Sequence, residues 1–158
     1  MIRSVLVALD GSSRAAGVFD AAAELAAPFG AHLHLFRAVQ VPPEFPPAGA
    51  SSHADPLPQH LAQEAWRAIL EVTQRAPGLG FTIRVDASMQ PWRAILTASE
   101  ELAVDLIVLG SHGYHGLDHL LGTTAAKVAN LARRNVLVIH NAEDLPPARA
   151  SRPPTRIL

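Results

Sequence analysis

Gly110-Ser111-His112-Gly113, an interval of eight residues, and then Gly122-Thr123-Thr124 form the spacing in this chain best suited to holding an anion. The first glycine ends an apolar run, Val104 to Leu109, and the last pair opens a segment with helical periodicity. Glycines let backbone N–H groups approach an anion with no Cβ in the way. A helix N-terminus adds N–H groups that lack an intrahelical acceptor, and the positive end of the peptide dipoles. Together these features make a phosphate cradle. A threonine hydroxyl there adds one more hydrogen bond.

The better-known phosphate and nucleophile motifs do not fit. A dinucleotide fold carries G-x-G-x-x-G after its first strand, where this chain has Asp10-Gly11-Ser12-Ser13. A P-loop needs Gly-Lys-Ser/Thr, and the only lysine is Lys127. A nucleophile elbow needs a glycine two residues before its serine; Leu109 stands there before Ser111. The histidines at 112, 115 and 119 lie near Asp118, but in a loop context that matches no strong metal motif, so no metal site is assigned. His32 and His34 fall on one face of a strand near its start, away from the crevice, where packing or a surface position is the simpler role. Asp10 suits an Asx-turn, and its place at the end of the first apolar run also lets it face a ligand.

The elements that must position these residues alternate. Ser4 to Leu9 reads as a strand, and Arg14 to Ala27 as a helix with Ser12 or Ser13 as N-cap, stopped by Pro28 and Gly30. His32 to Val39 is a second strand. Residues 40–58 hold six prolines and form a long loop. A helix follows around Leu61 to Val72, then a strand from Phe81 to Val85, and a helix beginning at Pro91. Val104 to Leu109, a helix from Thr123 to Arg134, and Asn135 to His140 complete the pattern. Thr123 and Thr124 would suit N-capping of that last helix. Strict β-α alternation implies a five-stranded parallel sheet with helices on both faces. Ligands in such α/β sheets sit beyond the carboxyl ends of the strands, where the order reverses. The polar ends after strands one and four therefore place those strands side by side, which gives the order 3-2-1-4-5.

Composition is consistent with one folded domain over residues 1–141. Hydrophobic residues make up 49% and charged residues 17%, there is no cysteine, and the formal charge is −1. Near-neutral charge leaves no footprint for nucleic acid or an anionic membrane. The apolar run after Arg3 ends at Asp10, too short for a signal sequence or a membrane span, so a cytoplasmic soluble protein is expected. Residues 142–158 contain four prolines and three arginines and read as a flexible tail. The uncharged strand 135–140 closes the fold; if it is an edge, pairing with its symmetry mate makes a homodimer.

Four segments together resemble the universal stress protein family over roughly residues 2–140. They are Val5-Leu-Val-Ala-Leu-Asp10-Gly-Ser-Ser13, Ala103-Val-Asp-Leu-Ile-Val-Leu-Gly-Ser-His-Gly113, Leu120-Leu-Gly-Thr-Thr-Ala-Ala-Lys-Val128 and Asn135-Val-Leu-Val-Ile139. The resemblance implies a five-stranded α/β fold of the adenine nucleotide alpha hydrolase-like type, and dimers through the last strand. It also implies the branch that binds ATP through G-x2-G-x9-G-[ST]. This chain departs from that pattern with eight residues between Gly113 and Gly122, and with Ser88-Met-Gln-Pro91 in a turn that often holds a glycine.

Carried onto this sequence, the resemblance assigns Asp10 and the backbone of Ala8 and Leu9 to adenine and ribose. Ala38 would pack on the base, and Leu109 and Gly110 would flank the ribose. His112 and Gly113 would offer N–H groups to phosphate, and Gly122, Thr123 and Thr124 would complete the cradle. The expected ligand is ATP, or ADP or AMP, with or without Mg2+. No general base or arginine finger is identifiable beside the cradle, and phosphoryl transfer needs positioned groups of that kind. A regulatory nucleotide-binding stress protein is therefore expected. The competing expectations are a weak ATPase or autophosphorylating protein (at Ser111, Thr123 or Thr124), and a nucleotide-free dimeric scaffold.

Overall fold

Ser4–Ala8 (β1) and Leu106–Gly110 (β4) are nearly uninterrupted apolar runs, rich in valine, that must be covered on both faces. In the computed structural model, which describes residues 1–40, 59–111 and 122–140, they lie side by side at the centre of a five-stranded sheet. His32–Val39 (β2), Phe81–Ala87 (β3) and Asn135–Ile139 (β5) complete it in the order β3-β2-β1-β4-β5, and every pair is parallel. The expected order 3-2-1-4-5 is the observed one. The loop residues 41–58, the residues 112–121 with His112 and Gly113, and the 142–158 tail lie outside the described residues, as does the boundary drawn at 141.

Side chains alternate across a strand, and the two faces bury separate cores. Val5, Val7, Leu33, Leu35 and Val108 face Ala15–Ala26 (α1) and Gln59–Thr73 (α2), which contribute Val18, Phe19, Ala22 and Ile69. Leu6, Phe36, Ile107 and Leu109 face Pro91–Glu101 (α3) and Thr123–Leu131 (α4), which contribute Ile95, Ala98, Ala125 and Val128. Trp92 at the start of α3 joins this second core and lies under two cations, the Arg93 guanidinium at 5.1 Å and the Lys127 ammonium at 5.2 Å from its ring centroid.

Several boundaries differ from the sequence reading. Arg14, not Ser12 or Ser13, is the N-cap of α1, and it makes no side-chain cap bond; the Ser12 hydroxyl donates to Asp10 instead. A 3-10 turn, Ala27–Phe29, extends α1, and Gly30 closes it at φ +60°, a left-handed conformation that glycine adopts without strain. β3 runs on to Ala87, where Arg84 pairs with Asp86 and Glu101. β4 begins at Leu106 because Ala103 turns the chain at φ +48° before it. α4 stops at Leu131, where Ala132 goes extended.

At the amino ends of the strands, far from the expected crevice, His34 joins three strands. Its Nδ1 lies 2.8 Å from Thr82 Oγ1 on β3 and its Nε2 3.1 Å from Ser4 Oγ on β1. The His32 ring stands edge-on to it at 4.8 Å. Burial, and then the neighbouring His32, hold the His34 pKa below its ordinary 6.5. A histidine whose folded pKa is depressed binds its proton more readily when unfolded. Its contribution to stability is complete above about pH 6.5 and declines as pH falls through the folded value. The urea midpoint is accordingly expected to drop between pH 7.5 and 5.5, and less so in His34→Gln. Equal drops in both proteins would count against this role.

Candidate functional site

The parallel register sets which residues meet at the carboxyl edge. Ala8 pairs with Leu109 on one side and with Phe36 on the other, so Leu9 stands level with Gly110. The Leu9 N–H donates to Phe36 O at 2.8 Å, which carries the ladder one residue past the strand. Asp10 comes next, where the chain leaves the sheet. Its Oδ1 accepts the Ser12 N–H at 3.0 Å and the Ser12 hydroxyl at 2.5 Å. This is the expected Asx-turn. It fixes the carboxylate at the crest and leaves Oδ2 without a hydrogen bond among the described residues.

On the β4 side, the base of the glycine loop is tied shut. The buried Ser111 donates its N–H to Ile139 O at 2.8 Å, and its carbonyl accepts the Gly122 N–H at 2.7 Å. Gly122, not a threonine, is the N-cap of α4: its backbone is extended, and among the described residues no side chain caps the helix. Thr123 and Thr124 are therefore the first two helical residues. Their N–H groups precede the first intrahelical bond, from Ala126 N–H to Gly122 O at 2.9 Å. No acidic residue stands in that first turn, so none of its own side chains offsets the positive end of the helix.

On the other face, a cleft of about 520 Å3 opens between the β1–α1 turn and α2. Leu9, Asp10 and Ser12 line one wall, Arg37 rises from β2, and Glu64, Ile69, Glu71 and Arg75 come from α2 and the turn beyond it. Arg75 is bound to Asp20 through its Nε at 2.9 and 3.1 Å and its Nη2 at 2.5 Å. This pair links the buried α1 carboxylate to the end of α2, and its hydrogen bonds hold the arginine's pKa above its usual value.

The structure thus brings Leu9, Asp10, Gly110, Gly122, Thr123 and Thr124 to one edge of the sheet. Ala8, Ala38 and Leu109 pack beside them against the α3–α4 core. His112 and Gly113 lie outside the described residues. Sequence reasoning missed the cleft wall: Ser12, Arg37, Glu64, Glu71 and Arg75. Its one legible signal was Arg37, a charge at the position where Leu33 and Leu35 set an apolar alternation.

Comparison with known proteins agrees with this fold. A sequence model described as the universal stress protein family matches residues 1–140. Universal stress protein A homolog 1 of Coxiella burnetii (strain RSA 493 / Nine Mile phase I) is 31% identical over 147 residues, which cover 87% of this chain and 95% of the relative. A solved universal stress protein in complex with cAMP superposes with a TM-score of 0.65 at 24% identity, over 88% of this chain and 97% of that one. The universal stress protein from Archaeoglobus fulgidus in complex with dAMP gives a TM-score of 0.63 at 22% identity, over 87% and 98%. Among the described residues, no helix is long and apolar enough to cross a membrane.

Proposed function

The chain belongs to the universal stress protein family, and we propose that it is an adenine-nucleotide-binding regulatory member of it. One juxtaposition carries the reading. The Asp10 carboxylate, fixed by Ser12, shares an edge with the uncapped start of α4, whose N–H groups open beside the tied loop base at Ser111 and Gly122. The first offers acceptors for ribose hydroxyls, and the second offers donors for phosphate. The cAMP and dAMP complexes of the two structural relatives support an adenine nucleotide as the ligand class.

ATP, ADP and AMP are the ligands of this reading. Asp10 and the backbone of Ala8 and Leu9 serve the nucleoside, Ala38 the base, Leu109 and Gly110 the ribose. His112, Gly113, Gly122, Thr123 and Thr124 serve the phosphates. Where Mg2+ accompanies the ligand, Asp10 is the carboxylate at the crest. Turnover is slow or absent: the sole lysine, Lys127, has its ammonium over Trp92. Ser111, at 3% exposure, is a poor phosphoryl acceptor. Calorimetric titration of nucleotide-stripped protein with ATP, ADP and AMP tests the reading. Saturable binding that Gly113→Arg removes supports it, and no heat with any of the three refutes it.

The same reading makes the protein a cytoplasmic homodimer that pairs through residues 135–140, and contacts neither nucleic acid nor membrane. The two edge strands differ in a way that favours this pairing. β3 carries the Arg84–Asp86 pair, and charges discourage edge-to-edge association. β5 reads Asn-Val-Leu-Val-Ile and carries none. Light scattering is expected to give a dimer for the unmodified protein, and monomer or aggregate for Val138→Asp. A monodisperse, folded monomer of the unmodified chain would refute the pairing.

A further inference from the structure

Arg37 is half-buried on β2, on the face of Leu33 and Leu35, and it projects into the α1–α2 cleft. Among the described residues it makes no hydrogen bond or ion pair, whereas the cleft's other arginine, Arg75, is bound to Asp20. None of its side-chain nitrogens is both buried and unpartnered, so its donors open to the cleft and are available to a ligand. The rest of the described lining decides what kind of ligand that is. Asp10, Glu64 and Glu71 are acidic, and with Arg75 neutralised by Asp20, Arg37 is the one cation left against three carboxylates. Such a cleft repels a phosphate. It offers a donor fork inside and acceptors at its rim, where Glu64 and Glu71 are exposed, and that complements a neutral purine edge.

The topology brings a base within reach of the cleft, at the crest of β2 between Ala38 on one face and Arg37 on the other. β1 separates β2 from β4, so Arg37 lies two strand spacings, ~10 Å, from the β4 end. A mononucleotide with its phosphate at the start of α4 and its ribose at Asp10 directs its base toward β2. We infer that Arg37 reads the base, and that it admits 6-oxopurine (guanine) nucleotides to this site alongside adenine ones. The guanidinium fork matches the adjacent O6 and N7 acceptors of guanine with two parallel hydrogen bonds. On adenine the same fork finds N7 beside an N6 donor, so one N–H is left facing another. The N1–H and N2–H donors of guanine then point toward the acidic rim.

This inference rests on the nucleotide-binding reading, and one experiment separates the two. AMP and GMP are titrated calorimetrically into the unmodified protein, Arg37→Ala and Arg37→Gln. The unmodified protein should bind GMP within a few-fold of AMP. Arg37→Ala should weaken GMP on the order of tenfold and AMP less than threefold. Arg37→Gln, whose amide matches N6 and N7 of adenine, should shift preference toward AMP. AMP binding in each variant reports that the fold is intact. An unchanged GMP-to-AMP ratio in both variants, or an unmodified protein that binds AMP but not GMP, overturns the inference and leaves the nucleotide reading standing. Binding of neither nucleotide to the unmodified protein overturns both.

Discussion

Thr123→Asp is expected to weaken nucleotide binding roughly 100-fold while making the folded protein slightly more stable. Thr123 is exposed and is the first residue of α4, after an N-cap with no side-chain cap and in a first turn with no acid. A carboxylate there interacts with the helix dipole favourably, by about 0.3–1 kcal/mol at an exposed site. It also occupies, with the same sign of charge, the place where a phosphate would sit. At ~4 Å in a partly shielded site, two like charges cost about 4 kcal/mol, which is enough for the stated loss after screening. Thr123→Val, which removes only the hydroxyl, should cost less than tenfold. Calorimetry with AMP and thermal unfolding measure the two effects together. The opposite signs matter: a general loss of structure would lower both quantities. Unchanged affinity in Thr123→Asp would show that the helix start does not hold phosphate.

Arg75→Ala is expected to destabilise the protein by roughly 2 kcal/mol, and more than Glu71→Ala in the last turn of α2. Asp20 is 4% exposed and its bonds to Arg75 link α1 to the end of α2. Removing the partner of a fully buried charge pair costs about 3–5 kcal/mol, chiefly because the remaining charge is left uncompensated. Here the arginine side chain is 43% exposed, so water screens the pair and reaches the carboxylate once the arginine is gone; hence the smaller figure. Asp20→Asn, which keeps hydrogen-bonding capacity without the charge, should recover part of the loss in the Arg75→Ala background. Urea denaturation of the two single variants and the double variant measures this. A midpoint for Arg75→Ala equal to that of the unmodified protein would mean that the pair is already satisfied by solvent.

Much of the fold was legible because central parallel strands are apolar on both sides. Val5-Leu-Val and Leu106-Ile-Val-Leu need cover above and below, and only interleaved helices supply it. The polar ends of those two strands then fixed their adjacency, and with it the strand order. Boundaries were less legible wherever a local bond outcompeted a propensity. Ser12 has the chemistry of an N-cap, but its hydroxyl is spent on Asp10. Val104 is fully buried and apolar, yet it lies in the turn that Ala103 initiates.

The site divided along the same line. Its β4–α4 half could be proposed from sequence because the residues offered for a phosphate cradle are nearly contiguous. The α1–α2 cleft was not, because Asp10, Arg37, Glu64 and Arg75 belong to separate elements and meet only through register and helix packing. The Arg75–Asp20 pair spans 55 residues, and no spacing rule anticipates it.

The most direct test of the nucleotide site is a 15N-edited NMR titration of the unmodified protein with AMP. The predicted result is saturable shifts confined to the carboxyl edge, at Leu9, Asp10, Gly110, Gly122, Thr123 and Thr124, with Ser4, His34 and Thr82 at the opposite edge unmoved. No saturable shift, or shifts centred on that opposite edge, would contradict the account.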